Sequence, residues 1–80
     1  MRVPRQLSGE DLRKALATLG YEKTRQAGSH IRVTTRTRGE HDVTVPDHKV
    51  LPLGTLKSIL RDVARHFECS ADDIVSRLFE

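Results

Sequence analysis

Eighty residues make one domain, residues 1–80, and its 14 basic against 11 acidic residues leave a net charge of +3. Nothing approaches the ~18 consecutive apolar residues of a membrane span, and Met1 to Leu7 carries Arg2 and Arg5 without the apolar stretch of a secretory leader. The single cysteine, Cys69, excludes an internal disulfide, and no Cys or His pair has metal-ligand spacing. These features predict a reduced, cytoplasmic protein with no metal and no cofactor.

Ser8 is a natural helix cap, and Asp11 three residues on completes the pattern of a capping box. Leu12, Ala15, Leu16 and Leu19 follow at helical spacing, with Gly20 as a positive-φ stop, so a first helix is expected from Gly9 to Leu19. Tyr21 to Gln26 reads as a short strand, and Ala27-Gly28-Ser29 as a tight turn. His30 to Thr37 is the clearest strand, with Ile31, Val33 and Thr35 on one side and His30, Arg32, Thr34 and Arg36 on the other. After the turn Arg38-Gly39-Glu40, His41 to Val45 returns and Pro46 ends it. Thr55 is the expected cap of a long helix carrying Leu56, Ile59, Leu60, Val63 and Phe67 on one face. Ser70 caps a short third helix with Asp72 and Asp73 in its first turn.

The order predicts an α+β fold of αβββα type: a three-stranded antiparallel sheet, helices on one face, and a short C-terminal helix. Both main helices must cover the face of Ile31, Val33, Val43 and Val45, because no other apolar surface of that size exists. Double-stranded RNA-binding domains share this order, which is weak ground for function.

Charge is unevenly spread along the chain. From Tyr21 to Arg38, Lys23, Arg25, Arg32, Arg36 and Arg38 face Glu22 alone, whereas Val50 to Glu80 holds four basic and five acidic residues. The strand segment is therefore either a phosphate-binding patch or a solvated strand face. Of the four histidines, His41 has core-facing parity and a structural reading, and His66, beside Arg65 late in the long helix, reads as a surface or helix C-terminal dipole residue. His48 is either a loop residue or a second proton-transfer group. His30 differs, because it follows Gly28-Ser29 and shares the open face with Arg32. A neutral imidazole beside cations and exposed N–H donors suits cleavage of an RNA phosphodiester. An inert strand-start histidine has the same sequence signature.

Three linked motifs bear on that choice. Arg25-Gln26-Ala27-Gly28-Ser29-His30, Val43-Thr44-Val45-Pro46-Asp47-His48 and Leu51-Pro52-Leu53-Gly54-Thr55-Leu56-Lys57-Ser58-Ile59-Leu60 together resemble the HicA (YcfA-like) toxin family over Ser8 to Leu60. The resemblance implies a double-stranded-RNA-binding-domain-like fold and the toxin of a toxin–antitoxin system. It further implies metal-independent endoribonuclease cleavage of mRNA with His30 as catalytic acid/base, and neutralisation by a HicB-type antitoxin. Gly28, Ser29, Lys23, Arg25, Arg32, Arg36 and His48 are the expected RNA contacts. The alternatives are a non-catalytic RNA-binding module and a protein-interaction domain on the same fold. Three departures from the family pattern stand out: Ala27 replaces a frequent lysine, no aromatic follows the histidine, and after Leu60 the stretch Val63 to Glu68 lengthens the second helix.

Overall fold

In a computed structural model describing residues 1–80, Ser8 takes an extended backbone and accepts from the Asp11 amide, while Asp11 reaches back to the Ser8 amide. That capping box starts α1 (Gly9–Ala17), whose Leu12 and Leu16 are fully buried. The helix ends two residues before the predicted Leu19, and Gly20 at φ 89° turns the chain into the sheet. A side chain at Gly20 would also press on the Thr35 hydroxyl.

The sheet is an antiparallel meander of β1 (Glu22–Ala27), β2 (His30–Thr35) and β3 (His41–Pro46), in the order β1-β2-β3. Ile31 pairs with Val45 and Val33 with Val43, which stacks the apolar residues of both strands on one face. Thr35 shares that face. It is fully buried, yet its hydroxyl donates to the Leu19 carbonyl and accepts from the Thr37 amide, so no buried polar atom lacks a partner. β1 begins one residue later than the expected Tyr21 and ends one later than Gln26, and all six of its residues are exposed. The helices lie over β2 and β3, and β1 is left as an edge carrying charged side chains. Its register breaks between Lys23 and Arg25, a bulge at Thr24.

α2 (Leu53–His66) is the central core helix, burying Leu56, Ile59, Leu60, Val63 and Ala64. It starts earlier than predicted. Pro52 is the N-cap, with φ −57° and ψ 140°, and Thr55 lies inside the first turn. The proline ring presets the extended entry, so the helix begins without a side-chain cap. α3 (Ala71–Phe79) is capped by the Ser70 hydroxyl, which accepts from the Asp73 amide as predicted. Its Ile74 and Val75 complete the core cluster together with Phe67 and Leu51, so the C-terminal helix is part of the same hydrophobic unit.

Candidate functional site

The β1–β2 hairpin closes over two residues, Gly28 and Ser29, between the paired Ala27 and His30. Gly28 has φ 58° and Ser29 an ordinary negative φ, the type II′ pattern whose twist matches antiparallel strands. A side chain at Gly28 would meet nothing within 4 Å, so conformation alone favours glycine there. The turn brings His30 to the end of the sheet, on the face away from the helices. Pro46 is its β3 neighbour, and the Asp47 amide donates to the Ser29 carbonyl at 2.6 Å. The loop carrying His48 is thereby held against the hairpin. That loop is fixed from beneath as well, because the Gly9 amide donates to the His48 carbonyl at 2.9 Å.

Within this corner the His30 imidazole is exposed and makes no hydrogen bond inside the chain. Two positions along the strand is Arg32, and directly opposite Arg32 across the pair is Arg25. Opposed residues in an antiparallel pair hold their Cβ atoms roughly 5 Å apart, where like charges repel. Neither arginine forms an ion pair. Two unneutralised guanidinium groups beside an unengaged imidazole form a site shaped for an anion.

The other expected contacts do not all join this corner. Lys23 is opposite Val33, a buried residue, so it belongs to the helix side of the sheet, where its ammonium donates to the Gln26 side-chain Oε1 at 3.3 Å. Arg36 is on the outer face but six residues from His30, about 20 Å along the strand. There it lines a shallow cleft of about 890 Å³ together with Glu22, Glu40 and Asp42. Arg32 lines the same cleft, so it joins the His30 end of the outer face to the mixed-charge end, and Asp47 stands at the hairpin end, its carboxylate accepting from the Gln26 side-chain amide at 3.4 Å. Asp42 accepts from Thr34, and Thr34 bonds Thr24, an exposed hydroxyl chain across all three strands. His48 is exposed, at the cationic end by virtue of its loop.

At the opposite end of the fold His41 and His66 form a structural cluster. The Tyr21 hydroxyl is 2.7 Å from His41 Nδ1, and His41 Nε2 is 3.3 Å from an Asp62 oxygen. Burial, with the Asp62 carboxylate nearby, raises the Tyr21 hydroxyl far above its ordinary range, so it stays protonated and donates. His66 stacks on His41 at 4.5 Å, and its Nε2–H donates to the Thr37 carbonyl at 2.9 Å. His66 is therefore half-buried and engaged, not the surface residue its place beside Arg65 suggested; its partner is 29 residues away in sequence. Changing Tyr21 to Phe strips His41 Nδ1 of its donor at a cost of about 1 kcal/mol. The melting temperature should fall by roughly 4–8 °C, with the His30 corner unchanged by NMR.

No group of three His, Cys, Asp or Glu is placed to hold a metal ion, and no helix is long and apolar enough to cross a membrane. The profile of a family described as the HicA toxin of bacterial toxin-antitoxin aligns with residues 9–64. No curated protein and no solved structure matches the chain. The matched stretch contains β1 to β3, the hairpin with His30, and most of α2.

Proposed function

The chain belongs to the HicA toxin family of bacterial toxin–antitoxin systems, and from that premise we propose that it is an endoribonuclease that cleaves mRNA at the His30 corner. Its partner is an antitoxin, which we take to be of HicB type, and its place of action is the cytoplasm. The observation that carries the reading is the unengaged imidazole of His30 beside the unpaired Arg25 and Arg32 on the open sheet face.

RNA carries its own nucleophile, so the chain needs to supply only proton transfer and charge stabilisation. His30 takes the proton from a ribose 2′-hydroxyl as that oxygen bonds to phosphorus. Negative charge grows on the phosphoryl oxygens, and Arg25 and Arg32 donate to them. The bond from phosphorus to the 5′-oxygen then breaks, and that oxygen takes a proton from the imidazolium. The products are a 2′,3′-cyclic phosphate and a 5′-hydroxyl, and His30 returns neutral. Open space over Gly28 admits the backbone of the substrate. Gly28, Ser29 and His48 are proposed contacts within this corner, with Lys23 and Arg36 serving as peripheral contacts beyond it.

Expression without a partner tests this function. Growth arrest with fragmentation of cellular RNA is expected, and the purified chain should cut RNA in the presence of a chelator. A chain that binds RNA but leaves it intact would be a binding module, and one that ignores RNA would be a protein-interaction domain. The arginines make a separate expectation. Arg25→Ala and Arg32→Ala should each lower RNA affinity and flatten its dependence on log salt by about one unit. Arg36→Ala should do so less, because Arg36 stands about 20 Å along the strand from His30. Filter binding across a salt series measures all three.

A further inference from the structure

Residues 1–6 lie before the stretch that matches the family, and they form one wall of a groove. The chain reverses at Gln6, a non-glycine residue at φ 57°, and the Leu51 amide donates to the Leu7 carbonyl at 2.8 Å. This folds the arm across the first turn of α2, leaving a groove of about 850 Å³ between them. On its floor Val50 and Leu53 are 54% and 53% exposed, the large apolar side chains that the fold leaves most open. The charged side chains lining it are Arg2, Arg5 and Lys57, all cationic and all without an ion-pair partner. The adjoining turn of α2 adds to the same potential, having no acidic residue and no side-chain cap.

Apolar floor and cationic rim set different demands on a ligand. RNA would satisfy the cations but leave Val50 and Leu53 in water, and no aromatic ring lines the groove to stack a base. A peptide with apolar side chains flanked by carboxylates satisfies both. The loop from Asp47 to Leu51 is bonded at one end to the His30 hairpin and at the other to the arm, so a segment seated in the groove lies one short loop from the site an antitoxin must close. We infer that this groove receives an acidic, apolar segment of the antitoxin, an inference that rests on the toxin reading above. Because one wall is outside the family match, the groove also supplies a means of discriminating this chain's antitoxin from others.

Backbone-amide NMR of the full chain tests it, with a short synthetic peptide alternating Glu and Leu as the probe. Shifts are expected at Arg2 to Gln6 and Val50 to Lys57, and a control peptide with Lys in place of Glu should leave them still. The double variant Leu53→Asp/Lys57→Glu, at one exposed and one half-buried position, should weaken the acidic peptide at least about tenfold, while its circular dichroism and RNA cleavage match wild type. Shifts confined to the outer sheet face, equal binding of both peptides, or a short single-stranded RNA taking the groove would each overturn the inference. Failure of the toxin reading would show separately, as RNA left intact by the wild-type chain.

Discussion

Replacing His30 with alanine should reduce RNA cleavage by about 10²- to 10⁴-fold, the usual contribution of one positioned proton-transfer group, and abolish growth arrest. The melting temperature should stay at the wild-type value. Both halves follow from the same observation: the imidazole is exposed and bonded to nothing in the chain, so its removal leaves no partner unsatisfied. RNA affinity should change little, since Arg25 and Arg32 remain. The variant would thus bind and not cut. Rate, melt and filter binding on one preparation distinguish this from unfolding, and arrest that survives His30→Ala would sink the assignment of His30. His41 gives the matching control, because its exchange should cost stability through the Tyr21 and Asp62 contacts and leave chemistry in place.

Gly9→Ala is expected to be the most damaging small substitution in the chain. A Cβ there would sit 1.9 Å from the Pro46 carbonyl oxygen and 3.0 Å from its carbon, both backbone atoms. No rotamer relieves that clash, so α1 must move away from the end of β3. Alanine improves helix propensity by about 1 kcal/mol, but overpacking costs roughly 1–3 kcal/mol or more, and the bond from the Gly9 amide to His48 is strained with it. The net loss should be about 2 kcal/mol or greater, which lowers the melting temperature by at least about 8–16 °C. Since a domain of this size holds only about 4–12 kcal/mol in total, the effect is large. The same exchange at Gly54, which faces open space at an ordinary φ, should raise stability by roughly 0.5–1 kcal/mol. Thermal denaturation of the pair checks both signs. A melt of Gly9→Ala equal to wild type would show that α1 and β3 are not packed as described.

What local sequence controls was readable in advance. Ser8 and Ser70 have hydroxyls that cap in place, and β2 shows strict alternation, so those caps and the facing of His30 and Arg32 followed from residue type. Features that depend on pairing were not. The exposure of β1 comes from helix placement and from the bulge at Thr24, neither of which leaves a periodic trace in six residues. Lys23 and Arg36 counted toward a basic segment, but a sum along the chain carries no information on face or distance; register sends one to the helix side and the other to the far end. Thr55 had the better capping side chain, and the ring of Pro52 overrode it. Gly9 passed unnoticed as a helix residue. A glycine directly after a strong cap has no local purpose, and that was the available signal of a close backbone approach. The His30 corner itself was only half legible: residue types suggested an anion site, while the unpaired opposition of Arg25 and Arg32 appears only in the folded sheet.

In the proposed reaction His30 moves the proton of the RNA's own hydroxyl, and the chemistry of the cut ends tests this most directly. Purified chain and RNA, incubated with a chelator, should yield fragments with a 2′,3′-cyclic phosphate (or the monophosphate it opens to) and a 5′-hydroxyl, and the His30→Ala chain should yield neither. Fragments bearing 5′-phosphate and 3′-hydroxyl ends would contradict it, because water and not the ribose would then be the nucleophile.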